Sequence, residues 1–302
     1  MNLALIGYGE VGRILGEDLR AAGHAVTAFD LKLPSVAGDS LRAHASKHGV
    51  TLADSHASAV REAALVVSAV TASQTVAAAQ ACAGALPEGC FFLDFNSASP
   101  GAKLEAAEHV NQGGGHYIEG AVMTAVPPYR IKVPLLVGGP HAEAAGPMLE
   151  ELGFAAKVAS GRLGVASATK MCRSVIIKGL EALVIESFTA ARHYGVEEGV
   201  LASLRETFPA LDWEKQGSYF FQRVIEHGRR RAEELREAAV TVHDAGLQPW
   251  SASATAERQD WVAALADEGV FGPRDQSTFA RSPDWRIEAD RILEHSHVSE
   301  QE

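Results

Sequence analysis

Residues 3–12 read Leu3-Ala4-Leu5-Ile6-Gly7-Tyr8-Gly9-Glu10-Val11-Gly12, a short apolar run followed at once by Gly-x-Gly-x-x-Gly. An amphipathic helical pattern then continues to Gly23. The order strand, glycine turn, helix gives each glycine a mechanical reason. Gly7 permits the tight turn, Gly9 lets the backbone approach a pyrophosphate, and Gly12 lets the helix pack on the strand. The helix N-terminus offers unpaired N–H groups and a partial positive charge to phosphates. Gly7, Tyr8, Gly9, Glu10, Val11 and Gly12 are therefore the expected phosphate-holding loop. A second apolar run, Ala25 to Phe29, ends in Asp30, 18 residues past Gly12. An acid there can accept hydrogen bonds from a ribose diol. The competing reading is a glycine-rich turn in an unrelated α/β protein.

Outward from this stretch, the first half alternates short apolar runs with helical patterns. Strands are predicted at 3–7, 25–30, 65–70, 91–94, 116–119, 133–138 and 155–158. Helices are predicted at 10–22, 40–48, 73–83, 100–111 and 141–152. That alternation implies βαβ units and a mostly parallel sheet. It stops near residue 160. Residues 163–193 then form one long helical pattern without proline, interrupted only by Gly164 and Gly179. The remainder also reads as helical: 196–206, 211–244 with a break at Gly217, 250–267 and 283–294, ending in a polar, frayed tail from His295. The predicted fold is an α/β Rossmann-type dinucleotide-binding domain over 1–160, then an all-α helical domain over 161–302, joined by a long interdomain helix.

A chain of 302 residues exceeds the usual single core, in keeping with two domains. A hydrophobic share of 47% with 22% charged residues is that of a soluble globular protein. The net charge of −11 argues against a nucleic-acid partner, which would demand a basic footprint. Cys82, Cys90 and Cys172 are widely spaced with no CxxC, so they read as free thiols in a reducing compartment. No leader pattern and no run of 18 uncharged apolar residues occurs. The expectation is a cytoplasmic protein with no membrane partner.

The segment 161–174 contains Gly161, Gly164, Lys170, Arg173 and Ser174. Lys170, Arg173, Ser174 and Ile177 fall at i, i+3, i+4 and i+7, one face of the long helix. The helix around them is apolar and expected to be buried. Two cations and a hydroxyl on a buried stripe suggest an anion pocket, and a lysine in such a pocket can exchange a proton near neutral pH. The plainer reading is two cations pairing with nearby acids. Asp94 and Ser99 are read as caps for the helix beginning at Pro100. Arg229, Arg230 and Arg231 are read as surface partners of Glu233 and Glu234, with one arginine reaching an anionic substrate as the sharper alternative. His44 and His48 have helical metal-ligand spacing, but no third ligand is in view, so no metal site is expected. Trp213, Trp250 and Trp261 are assigned to a core or a subunit interface.

The glycine loop, the long helix and its lysine together resemble the β-hydroxyacid dehydrogenases, the group that includes 3-hydroxyisobutyrate dehydrogenase and the NAD-binding part of 6-phosphogluconate dehydrogenase. The resemblance covers roughly residues 1–195. It implies a nicotinamide cofactor, NAD with NADP as the alternative. It also implies that Lys170, in the family's G-x-x-G-x(5)-K segment, acts as general acid/base on the substrate hydroxyl. Asp94-Phe-Asn-Ser-Ala-Ser-Pro100 resembles the family's D-x-S-T-x-x-P segment, which implies that Asn96 borders the nicotinamide and Ser97 the substrate. Val70 and Thr71 would border the cofactor in the same crevice.

Two segments depart from the family. Ser174 stands where asparagine is usual, with Arg173 before it. Glu119-Gly-Ala-Val-Met123-Thr124-Ala125 replaces D-x-P-V-S-G-G, so Met123 and Thr124 stand in the substrate-carboxylate pocket. A small anionic hydroxy acid of unusual shape is the implied substrate. The stretches 170–183 and 227–234 resemble a subgroup whose helical domain has no assigned function. The resemblance and the helical half together imply a homodimer. Two rivals are an imine reductase on the same scaffold, which usually lacks the lysine, and a non-catalytic dinucleotide sensor.

Overall fold

The computed structural model describes residues 1–274, 279 and 282–299. The chain forms two compact units, Met1–Cys172 and Arg173–Glu302. The division falls inside the long helix, beyond the 160/161 change of character read from the sequence.

In the first unit, eight strands form one sheet: β1 (Asn2–Ile6), β2 (Ala25–Phe29), β3 (Thr51–Leu52), β4 (Leu65–Ser68), β5 (Phe91–Asp94), β6 (His116–Val122), β7 (Leu135–Gly138) and β8 (Ala156–Ser160). Their order is β3-β2-β1-β4-β5-β6-β7-β8. Every neighbouring pair is parallel except β6 with β7. Helices α1 (Glu10–Ala21), α2 (Asp39–His48), α3 (His56–Val60), α4 (Thr75–Ala83), α5 (Pro100–Gln112) and α6 (Ala142–Glu151) connect the strands.

The pleat explains the layering. Leu3 and Leu5 enter one core cluster while Ala4 and Ile6 enter the other. Leu65 and Val67 likewise oppose Val66, so both faces of the sheet are apolar and both must be covered. Burying each such Leu or Val contributes about 1.5–3 kcal/mol. The chain leaves β1 for β2 on one side and passes to β4 on the other. That reversal makes a crevice at the carboxyl ends of β1 and β4, where such sheets take ligands.

The second unit is built from the later turns of α7 (Val165–Tyr194) with α8 (Glu197–Thr207), α9 (Trp213–Asp244), α10 (Trp250–Asp267) and α11 (Trp285–Ser299). Phe188, Trp213, Phe221, Val224, Val262, Phe271 and Trp285 form its main core. Several sequence expectations are corrected here. Gly217 does not break a helix: α9 is continuous, and a Cβ there would meet Phe188 and Trp285 at 2.9 Å. Gly164 precedes α7, in a left-handed conformation at φ +87°. The last helix continues past His295 to Ser299. β3 and α3 are additional to the predicted elements.

Candidate functional site

The glycine loop is shaped by its neighbours and, at one position, by space. A Cβ on Gly7 would lie 2.5 Å from the Ala69 carbonyl oxygen, and one on Gly12 would lie 2.1 Å from that of Gly7. Neither contact is tolerable, so both glycines are demanded by the fold itself. Gly9 has nothing within 4 Å of a built Cβ. It caps α1 with no side-chain hydrogen bond, so the N–H groups of the first turn keep their donors for a ligand. A cradle that is open at Gly9 and rigid at Gly7 and Gly12 fits a pyrophosphate. Glu10 and Val11 supply backbone in that first turn.

Tyr8 does not point its ring at a ligand. The side chain is fully buried, and its hydroxyl lies 3.0 Å from His44 Nδ1. Burial first, then the charge of Glu17, pushes the phenol up to about 12. The Tyr8 N–H donates to Asp30 Oδ2 at 2.8 Å, and the Lys32 N–H donates to Asp30 Oδ1 at 2.9 Å. Asp30 thus sits at the end of β2, tied to the glycine loop. Each carboxylate oxygen retains a lone pair for a ribose hydroxyl.

At the ends of β4 and β5, Asn96 accepts from the Val70 N–H at 2.7 Å and donates to Ser68 Oγ at 3.1 Å. It is buried, so it shapes the crevice floor at Val70. Thr71 is exposed at the mouth. Asp94 is not a helix cap. Its carboxylate receives Lys103 Nζ at 2.8 Å, the Tyr117 hydroxyl at 2.6 Å and the Asn96 N–H at 2.9 Å, all buried. Lys103 Nζ also donates to the carbonyls of Asp94 and Gly120 at 3.0 and 3.2 Å. A buried ammonium and carboxylate so fully bonded lock the ends of β5 and β6 together. Tyr117 is held well above its ordinary range by burial and by the Asp94 charge. Ser99 alone caps α5, accepting from the Ala102 N–H at 3.5 Å.

Ser97 follows directly, and Lys170 Nζ donates to its Oγ at 2.5 Å. Both side chains are half-buried. The device that brings them together is Glu119, a residue to which the sequence alone assigns no role. Glu119 is fully buried on β6. One carboxylate oxygen accepts from the Gly164 N–H at 2.7 Å and the other from the Ser167 N–H. A carboxylate at a helix N-terminus satisfies orphan donors and meets the positive end of the dipole. It therefore anchors the start of α7, and Lys170 follows on that same helix. A Cβ on Gly138 of β7 would come within 3.0 Å of the Glu119 carboxylate, which is why glycine stands there. The available signal was an acid heading the altered segment and a Gly-x-x-Gly before a long helix.

Met123 is half-buried and Thr124 exposed just beyond β6, where the Met123 N–H donates to the Pro134 carbonyl at 2.9 Å. Further along α7, Ser174 is buried but Arg173 is exposed, and Ile176 and Ile177 are exposed too. The buried stripe runs instead through Met171, Ser174 and Lys178, so Arg173 does not share it. The arginine run is also corrected. Arg231 is buried against Glu181, and Arg229 pairs with Asp267 at 2.6 Å. Glu234 receives Lys178 Nζ at 2.5 Å. Trp213 is core, whereas Trp250 is exposed.

Residues 2–161 match the NAD binding domain of 6-phosphogluconate dehydrogenase, and residues 191–262 match a domain of unknown function. A conserved hypothetical protein from Sinorhizobium meliloti has a similar structure, at 36% identity over 96% of each chain with a TM-score of 0.73. The mitochondrial 3-hydroxyisobutyrate dehydrogenase of Drosophila melanogaster is 24% identical, covering 70% of this chain and 65% of its own length. An imine reductase from Myxococcus stipitatus in complex with NADP+ shares the fold at 19% identity, over 97% of this chain and 100% of its own, with a TM-score of 0.53.

Proposed function

Because the chain belongs to the family defined by the NAD binding domain of 6-phosphogluconate dehydrogenase, we propose that it is an NAD(P)-dependent oxidoreductase acting on the hydroxyl-bearing carbon of a 3-hydroxy acid. A nicotinamide dinucleotide, when bound, supplies the redox chemistry. Gly7, Gly9, Gly12 and the first turn of α1 hold its pyrophosphate, Asp30 its ribose, and Val70 and Thr71 line the crevice. Lys170 takes the hydroxyl proton during oxidation and returns it during reduction. Ser97 orients both the lysine and the substrate oxygen.

The observation that carries this reading is the bond from Lys170 Nζ to Ser97 Oγ at the carboxyl edge of the parallel sheet. A sensor needs no lysine held against a hydroxyl there. An imine reductase is the second reading, favoured only by shared fold, and the lysine speaks against it. Met123 and Thr124 are assigned to substrate selection, toward a hydroxy acid bulkier than 3-hydroxyisobutyrate or of a different shape.

The chain is further assigned to the cytoplasm and to a homodimer. Three free cysteines, two of them buried, suit a reducing compartment. Among the described residues, no helix is long and apolar enough to cross a membrane. Ile176, Leu183 and Trp250 expose apolar surface on the helical unit that a second copy would cover. The test is a panel of 3-hydroxy acids and cyclic imines assayed for NAD(P) turnover. Turnover of hydroxy acids alone supports the proposal; turnover of imines alone, or none with tight dinucleotide binding, replaces it with one of the rivals.

A further inference from the structure

Behind the glycine loop, α1 and α2 bring together three groups that the sequence leaves far apart. His44 and His48 lie one turn apart on α2, their rings stacked at 4.5 Å between centroids. Glu17 of α1 faces them. His44 Nε2 lies 2.8 Å and His48 Nε2 3.8 Å from Glu17 Oε1. One ligand atom from each of the three lies within 4.8 Å of the others. Bonds of about 2.0–2.1 Å in a tetrahedral site place ligand atoms roughly 3.4 Å apart, so small side-chain shifts suffice.

The surroundings are those of a built site. The Tyr8 hydroxyl engages His44 Nδ1, which leaves Nε2 as the nitrogen directed at Glu17. Arg130 donates to the other Glu17 oxygen at 2.6 Å and to Asp18 at 2.8 Å. It fixes the carboxylate plane, and the two acids against one arginine leave a net negative charge. His44, His48 and Glu17 are 15%, 27% and 29% exposed, so the cluster is sheltered yet reachable from solvent.

We propose that Glu17, His44 and His48 bind one divalent cation of the zinc class, separate from the dinucleotide crevice. Two imidazoles and one carboxylate suit zinc or cobalt over calcium or magnesium, which favour all-oxygen sites. The bound ion cross-links α1 to α2.

The experiment uses the tag-free, full-length protein and Zn2+ in competition with a chromophoric chelator. The expected result is one ion per chain, at micromolar affinity or tighter, weakened at least tenfold in both His48→Gln and Glu17→Gln. Thermal midpoint should rise by a few degrees with saturating Zn2+ in the parent and not in His48→Gln. Co2+ should give the visible bands of a tetrahedral nitrogen–oxygen site. His48 makes only the longer contact, so His48→Gln retains the fold, which circular dichroism verifies. No binding by the parent overturns the proposal. So does binding undiminished in His48→Gln, which would put the ion elsewhere.

Discussion

Replacing Glu119 with glutamine tests how Lys170 is positioned. The carboxylate accepts two N–H groups, from Gly164 and Ser167, at the start of α7. Glutamine keeps the shape but has one accepting oxygen, so one N–H would face an amide NH2. Losing a hydrogen bond to a charged group costs about 1.5–3 kcal/mol. Losing the charge at the helix terminus adds about 0.3–2 kcal/mol. The sum, about 2–5 kcal/mol, is a large part of a typical domain stability of about 5–15 kcal/mol. The melting temperature of the first unit should fall by roughly 5–15 °C. Displacing a catalytic group by about 1 Å can cost on the order of 10²-fold. Turnover measured well below the melting point should therefore fall, with KM for the dinucleotide unchanged. Gly138→Ala presses on the same carboxylate and should act in the same direction, more weakly. A Glu119→Gln protein with the parent's melting point and turnover would refute the anchoring role.

The glycines separate in kind: Gly9→Ala should fold and lose dinucleotide affinity, because only a ligand contests its space, whereas Gly12→Ala should fail to fold. Calorimetric titration with NADH beside thermal melts distinguishes them. NAD should be preferred to NADP, since the Asp30 carboxylate repels a 2′-phosphate, and the ratio of kcat/KM for the two checks this. Glu17 is held down to about 2, first by its bond to His44 and then by Arg130. A depressed carboxyl stabilises the fold above its unfolded value of about 4.3, and that contribution fades as pH falls toward about 2. Urea midpoints should show Glu17→Gln less stable than the parent at pH 6 and converging with it across that window.

What the sequence makes legible follows from periodicity and local rules. Leu3 to Gly12 states strand, turn and helix in ten residues, and short, nearly unbroken apolar runs mark the strands buried on both faces. What escapes is non-local. Tyr8 occupies a motif position that suggests ligand contact, yet its ring is drawn into the space above Gly16, where a Cβ would sit 3.2 Å away. Glu119 gains its role only when β6 lies beside the start of α7. Asp94 reads as a cap because Pro100 is near, but its partners Lys103 and Tyr117 lie on the next helix and strand. Gly217 reads as a break because propensity is local, while the packing of Phe188 and Trp285 is tertiary. The short β3, two residues long, carries too little pattern to be seen.

The most direct test of the central claim compares Lys170→Ala with the parent protein on whichever 3-hydroxy acid the parent oxidises. NADH affinity is measured on both by fluorescence titration. The account predicts unchanged NADH affinity and a loss of about 10²–10⁴ in turnover, the usual range for removing a general acid/base. Normal NADH binding with turnover close to that of the parent would contradict it.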